Sequence, residues 1–324
     1  MHSESDHSQP NDAPSRTSML AARVHAFGGP DAVKIEKISI PVASADEILV
    51  EVHAAGVGPW DGWIRAGKSA LPQPLPLTLG SDVSGIVVDV GRDATSFANG
   101  QSVYGVTNTR FTDGNAEFAV CKAAMMARKP ELISHIDAAS VPVIAATAWQ
   151  MLFDHAHLVG GQSVLIHGGA GNVGRFAIQF ARAAGLRVST TASAADASEL
   201  RKLGADIVLD RDFTGAEKVD AAIDLVGGAS QDRLIGLVRE GGALISAVAA
   251  PDAALARSAD IRAAFILVDV TTDVLDRFSA LFRSGGLQTF VGSVLSLQEA
   301  PTAHRMLEGE LPRSPGKIVL KVRD

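Results

Sequence analysis

The chain has little of several things, and each shortage closes off a class of chemistry. Cys121 is the only cysteine among 324 residues, which excludes an internal disulfide and a four-thiolate zinc site and points to a reducing, cytoplasmic setting. No apolar run approaches the ~20 residues needed to cross a bilayer. Basic residues are in deficit, 29 Lys and Arg against 36 Asp and Glu, for a net charge of −7. That balance speaks against nucleic acid and against an anionic membrane surface as partners. The opening MHSESDHSQPNDAPSRTS lacks the apolar core of a signal peptide, and residues 1–18 are expected to form a disordered tail. There is no G-x-S-x-G elbow for a nucleophilic serine. Cys121 sits in an apolar run and reads as a packing residue. The nine histidines are scattered. The close pair His155 and His157 falls on an expected helix, where positions two apart face different ways, so no metal is expected.

What is present suits a soluble two-domain protein: 47% hydrophobic and 20% charged residues over 324 positions. From Met19 to about Val141 the pattern is short β segments punctuated by Gly and Pro, among them EILVEVHAAGV, VSGIVVDVG, QSVYGV and AEFAVCK. This is the signature of a barrel-like β domain. After Ser140, helical spacing over 144–157 and 173–184 alternates with the β runs SVLIH, RVSTTA, DIVLD, VDAAIDLV, ALISAVA and AAFILVDV. Alternation of that kind predicts a parallel sheet covered on both faces. Residues 272–284 predict a further helix, while LQTFVGSVLSL, a short helix over 298–308 and GKIVLKV turn β-rich again and are expected to rejoin the first domain. The expected division is 19–141, 142–284 and 285–324.

The sharpest motif is SVLIHGGAGNVGRFAIQFARAAG at 163–185. An apolar strand ends at His167, a glycine turn follows, and a helix begins near Val173. Read as G-x-G-x-x-G, Gly169 makes the tight turn, Gly171 lets the backbone approach a pyrophosphate, and Gly174 lets helix and sheet pack closely. Free N–H groups and the positive helix end then face the phosphates. The contacting stretch is Gly168, Gly169, Ala170, Gly171, Asn172, Val173 and Gly174. A carboxylate for a ribose 2′-hydroxyl is absent where the next strand ends, in Thr190, Thr191, Ala192 and Ser193. Thr191 and Ser193 leave room for a 2′-phosphate and Arg211 offers it a fork of donors, so NADPH is expected over NADH, with Asp196 as a counter-indication.

Further stretches carry a family resemblance. The cofactor loop, AAGVGPWDGWIRAG at 54–67, LTLGSDVSGIVVDVG at 77–91, ARKPELISHIDAASVPVIAATAWQML at 127–152, ELRKLGADIVLD at 199–210 and PGKIVL at 315–320 resemble the zinc-free quinone oxidoreductase, zeta-crystallin-like branch of the medium-chain dehydrogenase/reductase superfamily. The resemblance spans about residues 19–324. It implies an α/β protein with a GroES-like β-barrel catalytic domain built from both chain ends. A Rossmann doubly wound parallel-sheet domain lies between them, and the ligands sit in the cleft. It implies a homodimer joined through the edge of the parallel sheet, where AAFILVDV at 263–270 is the candidate edge strand, a buried central strand being the alternative that the pattern alone allows. Thr147 resembles a residue near the nicotinamide ring, and Asp82 one that supports the cleft.

Departures from the branch mark the substrate side. Gly58 stands where the branch usually has Asn, Trp63 where some members have Tyr, and Asn172 where the cofactor loop usually has Gly. The polar groups near the chemistry are thus expected to give way to a void and an apolar ring. Gly58, Trp60, Trp63, Asn108 and Phe111 are the candidate pocket, an aromatic site of the usual small-molecule kind. If a phenol donates the proton that follows hydride transfer, it has to be Tyr104, the only tyrosine; a half-buried strand residue is the alternative. The expected activity is zinc-independent, NADPH-dependent reduction of a quinone or an α,β-unsaturated carbonyl. A regulatory or structural NADPH-binding protein with little catalysis is the competing reading.

Overall fold

The computed structural model describes residues 17–323; the tail expected over 1–18 falls outside them except at Thr17 and Ser18. The first strands are β1 (Ser18–Val24), β2 (Lys34–Ser39), β3 (Glu47–Val57), β4 (Leu77–Thr78), β5 (Asp82–Val90), β6 (Ser102–Val106), β7 (Phe118–Lys122) and β8 (Met126–Arg128). Strand β3 organises them. It pairs with β7 along its first half and with β5 along most of its length, and bulges near Val50 and Ala54 bend it. A strand with neighbours on both edges has to be largely apolar, and in EILVEVHAAGV only Glu47, Glu51 and His53 depart from that, all partly exposed.

Chain order then passes to β9 (Ser163–His167), β10 (Arg187–Thr191), β11 (Ile207–Leu209), β12 (Val219–Asp224), β13 (Val238–Ser246) and β14 (Arg262–Phe265). All pair in parallel in the spatial order β11-β10-β9-β12-β13-β14. This is the doubly wound Rossmann order, with its reversal between β9 and β12. The chain closes with β15 (Val291–Ser296) and β16 (Lys317–Lys321), and β16 pairs antiparallel with β3. The two ends of the chain therefore share one β unit.

The helices explain how the halves are joined. They are α1 (Pro59–Arg65), α2 (His135–Ala139), α3 (Pro142–Trp149), α4 (Asn172–Ala183), α5 (Ala197–Leu203), α6 (Ser230–Leu237), α7 (Ala253–Ser258), α8 (Thr272–Arg283) and α9 (Ala300–Leu307). Helix α3 starts on Pro142, where a missing N–H costs nothing. It is buried almost all round because it packs against barrel strand β6 and against helices α4 and α8. It runs on as a π-helical turn over Gln150–His155. His157 lies beyond that turn in the left-handed region, at φ 57°, so the helix expected over 144–157 stops short and His155 and His157 do not share it.

Three hydroxyls bolt α8 to the barrel. Tyr104 Oη donates to the Leu275 carbonyl at 2.6 Å, Thr272 Oγ1 donates to the Met126 carbonyl at 2.8 Å, and Ser279 Oγ donates to the Arg128 carbonyl at 3.3 Å. This corrects the candidacy of Tyr104 as a proton donor. Its side chain is fully buried, and burial pushes the phenol well above its ordinary range. Cys121 is also fully buried, and burial pushes its thiol up in the same way. The edge strand expected at 263–270 is an edge strand, but only Arg262–Phe265 pairs with β13 and the rest of the run leaves the sheet.

Candidate active site

Ligands of a doubly wound sheet bind beyond the carboxyl ends of the strands, at the reversal of strand order. Here that point lies between His167 at the end of β9 and Asp224 at the end of β12, which stand opposite each other in register. Both are buried and fully engaged. His167 Nδ1 is 2.7 Å from Thr191 Oγ1, and Nε2 is 3.1 Å from Ser230 Oγ. Ser230 gives its proton to the Gly227 carbonyl, and Thr191 Oγ1 accepts the Gly168 N–H at 3.0 Å. Every group has one role if the imidazole is neutral with its proton on Nε2. Burial lowers the His167 pKa, in agreement with that state. Asp224 accepts the N–H groups of Val226 and Gly227 and the side chains of Gln231 and Ser246. The polar pair thus fixes the strand ends that carry the glycine turn.

The turn itself fits a pyrophosphate. Gly168 has φ 98°, so it is Gly168, and not Gly169, that makes the left-handed turn out of the strand. Gly169 is required by proximity: a Cβ there would lie 2.0 Å from Thr190 Oγ1. A Cβ on Gly174 would lie 2.4 Å from the Gly168 carbonyl oxygen, which is the close helix-to-turn packing the motif predicts. Gly171 differs. It caps α4 with extended backbone and no side-chain hydrogen bond, and a Cβ there would approach only the Gly168 carbonyl oxygen, at 3.3 Å. The space in front of it is open, and the unpaired N–H groups of the first turn of α4 point that way. A side chain at 171 would fill the space a phosphate needs.

Arg175, which the sequence reading passed over, supports this loop from behind. It is 3% exposed; Nε donates to the Ala170 carbonyl at 3.1 Å, the guanidinium pairs bidentately with Glu199 on α5, and it lies 4.9 Å from the centre of the Phe290 ring. Among the expected ribose-end contacts, Thr191 is occupied by His167 and Gly168. Ser193 donates to Asp196 at 2.6 Å, and Arg211 is exposed in the turn after β11. Thr147 on α3 is buried and donates to the Val143 carbonyl at 2.7 Å, which leaves its oxygen lone pairs free to accept.

On the barrel side the structure separates the pocket candidates. Trp60 and Phe111 are half-buried and pack against both the barrel core and the core that includes α3 and the parallel sheet. Trp63, one turn further along α1, is 51% exposed and does not join them. Asn108 is not free for a substrate. Its amide donates to the Thr112 carbonyl and to Asp113, and its oxygen accepts the Arg110 N–H, so it shapes its own loop. The void expected at Gly58 does not exist, because the Trp60 ring fills it.

Beneath Trp60 lies a buried charge cluster. Lys317 Nζ is 2.7 Å from Asp82 Oδ2 and 4.1 Å from the centre of the Trp60 ring; both charged side chains are essentially inaccessible. Asp82 Oδ1 accepts the Val143 N–H at 3.1 Å and so ties the barrel to the start of α3. Asp61, also buried, accepts the Gly58 N–H at 2.7 Å. Burial, and to a lesser extent the Asp82 carboxylate, raise its pKa to about 7 in spite of that bond and of Lys317. A carboxyl that titrates higher in the folded state than in the unfolded chain destabilises the fold as pH rises between the two values, here from about 4 to about 7. Asp61→Asn is therefore expected to match the parent protein near pH 4. It should become the more stable of the two above pH 7, by on the order of 2–4 kcal/mol, in urea unfolding followed across that range.

The chain matches two family models, "Alcohol dehydrogenase GroES-like domain" over residues 44–139 and "Zinc-binding dehydrogenase" over 203–320. Quinone oxidoreductase of Sus scrofa is 30% identical over 308 residues, which are 88% of this chain and 93% of that protein. The chain belongs to the quinone oxidoreductase branch of the medium-chain dehydrogenase/reductase superfamily. Within that branch, the solved quinone oxidoreductase from Coxiella burnetii superposes with a TM-score of 0.86 at 32% identity, covering 94% of this chain and all of the other. A mycobacterial protein solved in complex with NADPH gives 0.80 at 27% identity, covering 94% and 99%. The branch fold, a GroES-like unit with a Rossmann-like parallel sheet, is the fold described above. Among the described residues, no three His, Cys, Asp or Glu side chains group closely enough to hold a metal, and no helix is long and apolar enough to cross a membrane.

Proposed function

We propose that this chain is an NADPH-dependent oxidoreductase that reduces a quinone or an α,β-unsaturated carbonyl without zinc. The observation that carries the reading is the open first turn of α4 at Gly171, together with the half-buried aromatic pair Trp60 and Phe111, which packs against the same core as Ala170 and Val173 of the glycine turn. When bound, the nicotinamide supplies hydride. The protein's part is to hold the pyrophosphate on the N–H groups of Asn172, Val173 and Gly174 and to offer the acceptor a flat apolar wall. With Tyr104 bonded to α8, no phenol is available in the chain, and the proton that follows the hydride comes from solvent. The 2′-phosphate reading rests on Ser193 and Arg211, with the Asp196 carboxylate opposing it. The zinc-free reading rests on the donor set, since the one cysteine is buried and, among the described residues, no three His, Cys, Asp or Glu side chains group closely enough to hold a metal. We place the protein in the cytoplasm as a homodimer joined along β14, where Phe265 and, just beyond it, Leu267 are exposed.

The test is direct. Fluorescence titration is expected to show NADPH binding more tightly than NADH, and purified protein with NADPH is expected to turn over members of a quinone and enone panel. Tighter NADH binding would overturn the cofactor assignment. Tight NADPH binding with no turnover of any panel member would favour a regulatory protein.

A further inference from the structure

We propose that Gly58 and Trp60 act as a single specificity element, in which the Trp60 indole occupies the place of a side chain on residue 58 and sets the size of acceptor admitted beside the cofactor. The proposal rests on the quinone or enone reading above. Gly58 has φ −130° and ψ 170°, extended backbone open to any residue. The requirement for glycine comes from the ring: a Cβ on residue 58 would lie 2.3, 2.4 and 2.6 Å from Trp60 Cη2, Cζ3 and Cζ2. Neither side can yield easily. The backbone at 58 is held by its N–H bond to the buried Asp61 carboxylate. The indole is held at its Nε1, which donates to Ser81 Oγ at 3.1 Å, and by the Lys317 ammonium 4.1 Å from the ring centre, itself paired with Asp82. A cation over an indole face is among the stronger contacts of its kind when shielded from water. Because Trp60 packs on both cores, the ring stands at the seam between the barrel and the parallel sheet, where an acceptor has to lie. A large, anchored group there admits single-ring acceptors and excludes larger fused ones.

Two measurements on the full chain test this. The first is selectivity. Trp60→Ala is expected to raise kcat/KM for menadione and 9,10-phenanthrenequinone, relative to 1,4-benzoquinone, by about tenfold or more. Its NADPH dissociation constant should stay within about twofold, because the phosphate loop is untouched. Trp60→Phe keeps a ring over Lys317 and should shift the ratio the same way by less; it carries the test if the alanine variant fails to fold. The second is a thermal unfolding cycle that needs no turnover. Gly58→Ala is expected to lower Tm by roughly 3 °C or more in the parent protein and to be close to neutral in the Trp60→Ala background. Additive Tm changes would overturn the Gly58–Trp60 unit. Coupled Tm changes with unaltered selectivity in an active enzyme would overturn the specificity role alone. A parent protein inert toward the whole panel would instead overturn the functional reading, and the specificity role with it.

Discussion

Gly171→Val is expected to leave the protein folded and to weaken NADPH binding by about two orders of magnitude or more. The two halves of that result have separate causes. The fold survives because Gly171 already has the extended backbone of an ordinary N-cap residue, and a Cβ meets nothing closer than one carbonyl oxygen at 3.3 Å. Binding fails because the isopropyl group stands in the space in front of the first turn of α4. Hydrogen bonds from backbone N–H groups to a charged phosphate contribute about 1.5–3 kcal/mol each, so losing two of them accounts for the expected factor. Gly174→Val is the contrast. Its Cβ would press into the Gly168 carbonyl oxygen at 2.4 Å and the Gly169 Cα at 2.7 Å, so it should damage the turn itself. Circular dichroism with fluorescence titration separates the two variants. An unfolded Gly171→Val protein, or one that binds NADPH normally, would contradict the assignment of this loop.

The second large effect concerns the charges under Trp60. Lys317→Met removes the only cation 2.7 Å from Asp82 and leaves a carboxylate with no access to water beside a second buried acid, Asp61. Breaking a buried ion pair from one side costs about 3–5 kcal/mol, because the surviving charge is left uncompensated. For a chain of this size, that loss corresponds to a Tm fall of roughly 4–7 °C. Asp82→Asn combined with Lys317→Met should recover most of it, since an amide oxygen can still accept the Val143 N–H and neither partner of the pair keeps a charge. A double variant no better than the single would mean that Lys317 stabilises mainly through packing on Trp60.

The strands of both halves are legible in the sequence because their burial demands are. SVLIH is buried at every position, and in EILVEVHAAGV only Glu47, Glu51 and His53 escape full burial, as interior strands require. The glycine turn is legible because backbone approach leaves no choice of residue, although spacing alone assigns the left-handed turn to Gly169 where the backbone puts it at Gly168. Tyr104 misleads for a different reason. Its partner, the Leu275 carbonyl, is 171 positions away, and nothing local announces it. Asn108 carried a readable warning, since its partners lie within five residues, in the turn-forming manner of asparagine. Arg175 and Lys317 leave weaker traces, as charged residues inside otherwise apolar runs. Charges in such places are seldom left without a partner once buried. The Gly58–Trp60 contact depends on a rotamer, which spacing does not reveal.

The three hydroxyl bolts on α8 have a mechanical consequence. Tyr104, Thr272 and Ser279 join one flank of the barrel to the last helix of the parallel-sheet half, and Asp82 adds a fourth tie at the head of α3. The ties lie at two separate places, along α8 and beneath the Trp60 indole, where Lys317 pairs with the same Asp82. A joint pinned at two places resists both sliding and rotation, so the indole wall and the head of α3 move as one piece.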